Sequence, residues 1–155
     1  MKMRFNMIYE PLSILLVEDE KAHAELTKRA IRRAGNVNRI IVAGDGEEAL
    51  DYLHNRGKYS DRLKNPTVGL ILLDIKLPGI DGIEVLKQIK EDPKLKKIPV
   101  IMLTTSDREE DIDNSYDHYA NSYLTKPVGF KEFEEKIMQL NSYWLLINEP
   151  PVLEE

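Results

Sequence analysis

Short apolar runs alternate along this chain with longer segments whose apolar residues recur at helical spacing. Five runs are predicted to be strands: residues 14–17, 39–42, 68–73, 99–103 and 122–125. The first, third and fourth are almost continuously apolar, which is typical of strands covered on both faces in a parallel sheet. The fifth is a weaker signal because it is more polar.

Four other segments each carry an apolar stripe at helical spacing. The stripes are Ala22, Leu26, Ala30 and Ala34; Ala49, Leu50 and Leu53; Ile83, Leu86 and Ile89; and Phe130, Phe133, Ile137, Leu140 and Trp144. Asp45 and Glu48 form a predicted capping box at the start of the second. Since parallel strands need crossover connections, the alternation predicts an α/β fold with a doubly wound parallel sheet.

The helix expected after Thr104 differs from the others in composition. Ser106 and Glu109 offer a capping box, but residues 107–113 are mostly acidic. Ile112 and Tyr116 are its main predicted apolar anchors. We therefore expect this helix to be weakly held against the sheet.

Composition and charge narrow the class of protein. The chain has 155 residues, enough for one domain, and 42% of them are hydrophobic and 32% charged, as in a globular protein. The net charge of −5 argues against nucleic acid as the main partner, because phosphate binding favours a basic face. No apolar run approaches the roughly 20 residues of a membrane helix, and the N-terminus lacks a secretory pattern. The absence of cysteine suits a cytoplasmic location.

The chemistry of this chain is concentrated where the predicted strands end. Residues 18–20 are all acidic and follow the first strand, and Asp74 follows the third. Thr104 and Lys126 follow the fourth and fifth strands. Ligands of such sheets bind at the carboxyl ends of the strands, so these groups are predicted to meet. Clustered carboxylates favour Mg²⁺ or a similar hard cation, and a carboxylate can accept a phosphoryl group.

Each of these residues also has a structural interpretation when it is taken alone. The three acids could cap the helix that follows them, Asp74 could be a turn residue, and Thr104 could be a strand or cap residue. Lys126 and Pro127 could form an ordinary turn. Only the conjunction of order, spacing and position at strand ends favours a site.

Four segments of the sequence resemble the motifs of response-regulator receiver domains, in the same order. They are ILLVEDE at residues 14–20, LILLDIKLPGIDG at 70–82, PVIMLTTS at 99–106 and YLTKP at 123–127. The resemblance covers about residues 12–142, leaving 1–11 as an N-terminal extension and 143–155 as a C-terminal tail. It implies a flavodoxin-like receiver fold with five parallel strands in the order 2-1-3-4-5.

The same resemblance implies a role for each matching residue. Asp74 resembles the phosphoacceptor, Asp19 the direct Mg²⁺ ligand and Glu18 the acid that usually acts through water. Lys76 stands where a backbone carbonyl completes the metal shell.

The remaining matches concern the phosphoryl group and the switch. Thr104 matches the hydroxyl that follows the phosphoryl group, and Tyr123 matches the aromatic residue that swings inward with it. Lys126 matches the basic partner, and the family typically has a cis bond between it and Pro127.

The resemblance also implies partners. The chain should accept a phosphoryl group from a histidine kinase, catalyse only its own phosphotransfer and dephosphorylation, and signal to a downstream protein. Within the family it is most similar to phytochrome-associated regulators, judging from the 14-residue connection at 54–67 and the tail sequence WLLINEPP at 144–151. We expect no output domain, because only 15 residues follow Leu140.

The sequence departs from the family pattern at two positions. The first acid is Glu18 rather than the commoner Asp, which lengthens the reach to a metal by one methylene. Lys76 places a long cation near the path of a hydrolytic water, where it can alter the lifetime of the phosphorylated state.

Other interpretations fit less well. The segment GDGEEA at 44–49 matches a dinucleotide fingerprint, but its acids would repel a pyrophosphate and it follows the second strand. A receiver-like module without phosphorylation would not need the complete set of site residues. A metal phosphatase would need a general acid where Lys76 stands. His23, His54 and His118 are interpreted as surface residues without metal-ligand spacing.

The C-terminal end has more apolar residues than one helix can bury. Residues 143–147 are all apolar or aromatic and follow a helix that already has its own stripe. They could mark a homodimer contact through the last helix and tail, or the tail could fold back on its own domain.

Overall fold

The computed structural model describes residues 12–35, 37–61 and 63–153, and their strands form one parallel sheet. The sheet has five strands in the order β2-β1-β3-β4-β5. The strands are β1 (Leu12–Val17), β2 (Val37–Ala43), β3 (Leu70–Leu73), β4 (Val100–Thr104) and β5 (Ser122–Thr125). The predicted strands and their order are confirmed, with ends displaced by at most two residues. The predicted extension at 1–11 lies outside the described residues.

Helices cover both faces of this sheet. They are α1 (Lys21–Ala34), α2 (Gly46–Leu53), α3 (Gly82–Glu91), α4 (Glu109–Asp117) and α5 (Phe130–Asn141), followed by a π-helical segment at Ser142–Ile147. Alternate residues of each central strand enter opposite cores, so that in β1 Ile14 packs towards α1 and α5 while Leu15 packs towards α2 and α3. The central strands β1, β3 and β4 are therefore almost continuously apolar, as their sequences indicated.

Two of the predicted apolar stripes are partly wrong. Ala22 is exposed, whereas Ala30 is buried and Leu26 half-buried as predicted, and the side chain of Ala34 lies outside the described part of the chain. The helix also buries Ala24, Thr27 and Ile31, which the stripe does not include. A stripe with a constant spacing of four residues drifts around a helix that has about 3.6 residues per turn, so it cannot stay on one face. In α5 the first predicted core residue, Phe130, is 53% exposed, because it lies in the first turn beyond the edge of the core.

The predicted caps have different outcomes. Asp45 accepts a hydrogen bond from the Glu48 amide at 2.7 Å, whereas the Glu48 carboxylate reaches the Gly44 amide rather than that of Asp45. The capping box of Ser106 and Glu109 is wrong, because the hydroxyl of Ser106 donates to the Asp111 carboxylate instead.

The helix α4 is thinly anchored, in agreement with the prediction. Ser115 is its only buried residue, and Ile112 is half-buried. Tyr116 is 49% exposed, so its predicted role as an anchor is wrong. The helix starts at Glu109 and turns its mostly acidic side chains towards water, which leaves little apolar area for the sheet.

The connection between α2 and β3 is tied to the domain by tyrosines. Tyr52 donates a hydrogen bond to the Pro66 carbonyl, and Tyr59 donates to Glu48, both at 2.7 Å. The two rings pack edge to face with centroids 5.0 Å apart.

The end of the described chain returns to this side of the sheet. Leu153 packs against the core beneath α2 and α3 and lines a small cavity with Leu95 and Ile98. The distal part of the tail therefore folds back on its own domain. The side chains of residues 145–147 lie outside the described part of the chain. No helix within the described residues is long and apolar enough to cross a membrane.

Candidate active site

Three buried charged residues meet at the carboxyl ends of the strands. Glu18 follows β1, Asp74 follows β3 and Lys126 follows β5, and each is at most 7% exposed. The ammonium of Lys126 lies 3.2 Å from a carboxylate oxygen of Asp74 and also contacts the carboxylate of Glu18. Because β1 and β3 are neighbours in the sheet, their two acids come together although 56 residues separate them in sequence.

The acids of this site outnumber the basic group between them. Glu18, Asp19 and Asp74 each have an oxygen within 4.8 Å of the others, and Asp19 is exposed at the rim. Burial raises the pKa of the Glu18 carboxyl above its ordinary value, although the ammonium of Lys126 opposes this effect. A third carboxylate beside one ammonium leaves excess negative charge, which fits a divalent cation bound through hard oxygen ligands.

The loop after Asp74 is fixed by an unusually close glycine. The amide of Gly82 donates to the Ile75 carbonyl at 2.7 Å, and a Cβ at Gly82 would lie 2.0 Å from the Asp74 carbonyl oxygen. The Lys76 amide donates to the Asp74 carboxylate at 3.3 Å, while the Lys76 side chain is exposed. This loop therefore sets the position of the Asp74 side chain.

Thr104 and Tyr123 both form a hydrogen bond with Ser106. Thr104 is fully buried at the end of β4, and its hydroxyl accepts a hydrogen bond from the Ser106 amide at 3.3 Å. The hydroxyl of Tyr123 donates to the Ser106 carbonyl at 2.8 Å, and its ring is half-buried. Thr104, Tyr123 and the start of the thinly anchored α4 are thus linked through one residue.

The expected cis bond between Lys126 and Pro127 is wrong, because the described residues contain no cis peptide bond. Lys126 is held by other contacts. Its amide donates to the Thr104 carbonyl at 2.7 Å, and its side chain meets the two buried acids.

One residue of this site was missed in the sequence. His23 was interpreted as a surface residue, but its Nδ1 lies 3.2 Å from the Lys126 ammonium. It also lies 3.0 Å from a carboxylate oxygen of Glu20. Its position one turn along α1 from the acidic segment was the only available signal, because the partner is 103 residues away in sequence.

An open cleft lies beside Lys126. His23, Leu26, Val128 and Phe130 line it, and its volume is about 380 Å³. Val128 is fully exposed and Phe130 is 53% exposed, so the rim of this cleft is apolar next to a charged floor. We call it the side cleft.

The fold and the site define the class of this protein: a doubly wound α/β domain with an acidic site and a buried lysine at the carboxyl ends of its strands. The chain belongs to the response regulator receiver domain family, whose sequence model matches residues 14–138. It is a receiver domain of the kind that signals through phosphorylation.

Two relatives resemble the chain over most of its length. The probable methanogenesis regulatory protein FilR2 of Methanothrix harundinacea is 43% identical over 92% of this chain and 89% of that protein. The response regulator Rcp1 of Synechocystis sp. is 41% identical over 87% of this chain and 90% of that protein.

Two solved structures of response regulators are also similar to this chain. The phosphorylated form of RcpA, a cyanobacterial phytochrome response regulator, has a TM-score of 0.86 and 38% identity, and covers 91% of this chain and 99% of that one. The Mn²⁺-bound form of Rcp1 has a TM-score of 0.84 and 39% identity, and covers 92% of this chain and 100% of that one. The predicted similarity to phytochrome-associated regulators is confirmed.

Proposed function

We propose that Asp74 accepts the phosphoryl group through which this receiver signals. The observation that carries the proposal is the buried contact between the Asp74 carboxylate and the Lys126 ammonium at the carboxyl edge of the sheet. In the reaction a carboxylate oxygen of Asp74 bonds to phosphorus while the bond from phosphorus to the donor breaks. The leaving group is the imidazole of a phosphohistidine, or acetate when acetyl phosphate is the donor. Lys126 neutralises charge on the phosphoryl oxygens.

Mg²⁺ is the metal that we propose for the acidic site. Asp19 and Asp74 would bind it directly, Glu18 would act through water, and the backbone carbonyl of Lys76 would complete the shell. A divalent cation bound there supplies charge neutralisation during phosphoryl transfer. The support is the excess of carboxylate over ammonium and the Mn²⁺-bound structure of Rcp1.

The switch that we propose runs from Thr104 to α4. The hydroxyl of Thr104 would move towards the phosphoryl oxygens, and Tyr123 would turn into the space that it leaves. Both residues contact Ser106, whose hydroxyl holds Asp111 of α4. A helix with a single buried residue has little packing to lose when it shifts.

The partners that we propose are proteins: a histidine kinase as donor and a downstream target as receiver of the signal. A cytoplasmic location follows from such a kinase. The side cleft, with an apolar rim next to Lys126, is a suitable docking place for the donor.

A homodimer through α5 and the tail is also part of the proposal. Because Leu153 packs on its own domain, we expect α5 and residues 142–147 to contribute most of that contact.

Incubation with acetyl phosphate and Mg²⁺, followed by intact-mass measurement, tests the proposal. The parent protein should gain one phosphoryl group and the Asp74→Asn variant none. Asp81→Asn is a matched control, since Asp81 lies in the same loop, is exposed and caps α3, and Asn caps equally well. Full labelling of Asp74→Asn, or labelling in excess chelator, would contradict the proposal.

A further inference from the structure

The ammonium of Lys126 has three hydrogens and meets three partners. Two are the carboxylates of Glu18 and Asp74, and the third is Nδ1 of His23 at 3.2 Å. Lys126 is 7% exposed, so solvent offers little replacement for any of these acceptors. A buried ammonium with an unsatisfied hydrogen is costly, so the third acceptor matters.

The hydrogen-bonding role of His23 Nδ1 follows from its two closest neighbours, with the Glu18 carboxylate further away at 4.0 Å. Nδ1 lies between an ammonium, which can only donate, and the Glu20 carboxylate, which can only accept. It can satisfy only one of them. The Glu20 side chain is 63% exposed and can bond to water, whereas the Lys126 side chain is 3% exposed and cannot. In the contact with Lys126, Nδ1 is therefore the acceptor.

The geometry points to a further role: we propose that His23 is a positioning residue for phosphoryl transfer, holding the Lys126 ammonium over Asp74. This proposal rests on the proposed function of Asp74. Glu18 is a candidate metal-site residue and Asp74 is the group that reacts, so both change their bonding during turnover. His23 is the one of the three acceptors that neither reacts nor belongs to the proposed metal set. It keeps one hydrogen of Lys126 engaged, and the other two point towards the site where the phosphoryl group arrives.

Phosphorylation kinetics of three variants test this role. With acetyl phosphate and Mg²⁺, His23→Ala should lower the phosphorylation rate about tenfold, the usual effect of losing one hydrogen bond to a charged group. His23→Asn can place its amide oxygen near the position of Nδ1 and should restore most of the rate. The Mg²⁺ concentration at half-maximal rate should not change in either variant.

His54→Ala is the matched control, because His54 also lies beside a carboxylate and its side chain has the same 32% exposure as that of His23. It lies at the end of α2, away from the site, and the variant should keep the parent rate. A parent rate in His23→Ala would overturn the proposal. So would a large loss of Mg²⁺ affinity, which would make His23 a ligand together with Glu18 and Glu20.

A spectroscopic measurement keeps the two proposals distinct. In ¹⁵N spectra at neutral pH, Nδ1 of His23 should be unprotonated, and its shift should change in Lys126→Met. A protonated Nδ1, or no change, would overturn the hydrogen bond even if Asp74 is phosphorylated normally. If the parent protein is not phosphorylated at all, the proposed function fails and the positioning role fails with it, whereas the hydrogen bond is still judged by this spectrum.

Discussion

Two lysines occupy opposite ends of the sheet and have the same number of partners. At the carboxyl end Lys126 meets two carboxylates and an imidazole. At the amino end Lys90, near the end of α3, donates to the carbonyls of Lys96 and Ile98 and to the side-chain oxygen of Asn121, all within 3.0 Å. The two sites differ in the charge of the acceptors, not in the number of hydrogen bonds.

That difference in acceptor charge separates the candidate active site from a site with a structural role. Neutral acceptors give Lys90 no charge to balance its own, and burial lowers the pKa of Lys90 to about 8. Its bonds join α3 to the segments that enter β4 and β5, so it acts as a cross-link. Two of the acceptors around Lys126 are instead carboxylates, the kind of group that can bind a divalent cation or accept a phosphoryl group. The same residue type thus forms a structural cross-link at one end and, in the proposed function, takes part in phosphoryl transfer at the other.

The largest loss of stability should come from a substitution at Gly82, in the loop at the carboxyl end of the sheet. In Gly82→Ala the new methyl group would overlap the Asp74 carbonyl oxygen and the Ile75 backbone, which has no flexible side chain to move aside. We expect a loss of about 3 kcal/mol in the free energy of unfolding, measured in urea, because overpacked backbone must shift. Gly129→Ala is the control, since nothing lies within 4 Å of a Cβ there. Equal stability of the two variants would show that the loop after Asp74 is not held as described.

Lys90→Met should break the cross-link at the amino end. Three acceptors would lose their donor, and we expect the free energy of unfolding to fall by about 2 kcal/mol. Phosphorylation of Asp74 should keep its rate, because the change lies at the other end of the sheet. Lys87→Met, an exposed position on the same helix, is the control and should change stability little. A loss of phosphorylation without a loss of stability would reverse the roles assigned to the two ends.

The pH dependence of the free energy of unfolding should reveal the lowered pKa of Lys90. Lys90 has a folded-state pKa of about 8, below its ordinary value of 10.5, so above pH 8 the folded state binds fewer protons than the unfolded state. Its contribution to stability should therefore rise from pH 8 towards 10.5 and be lost as the pH falls through 8. We expect the difference in unfolding free energy between the parent and Lys90→Met to grow by about 2 kcal/mol between pH 7.5 and 9.5. A difference that stays constant would argue against a lowered pKa.

The smallest expected effect concerns an unsatisfied amide at the end of α5. Asn141 is fully buried, and within the described part of the chain neither polar atom of its side chain has a hydrogen-bond partner. Asn141→Leu should raise the free energy of unfolding by about 1 kcal/mol, because it removes two buried polar groups. Thermal unfolding measures the gain, and the charged variant Asn141→Asp should lower the midpoint. A destabilised Asn141→Leu would reveal a partner for this amide.

Prediction from sequence succeeded where structure depends on local pattern. Strand β3 is apolar at each position and is buried on both faces, as the run around Leu72 indicated. Prediction failed for apolar residues near the ends of helices. Phe130 and Tyr116 have the spacing of core residues, yet about half of each is exposed, because Phe130 lies in the first turn of α5 and α4 buries only Ser115.

The sequence by itself determined the order of strands and helices and the chemical groups that follow each strand, because periodicity and strand ends are local properties. Glu18, Asp74, Thr104 and Lys126 could be named on that basis. Only the tertiary structure decided which of them touch. The contacts of His23 with Lys126 and of Lys90 with Asn121 span 103 and 31 residues. They depend on how α1 and α3 lie against distant strand ends, which no local pattern encodes.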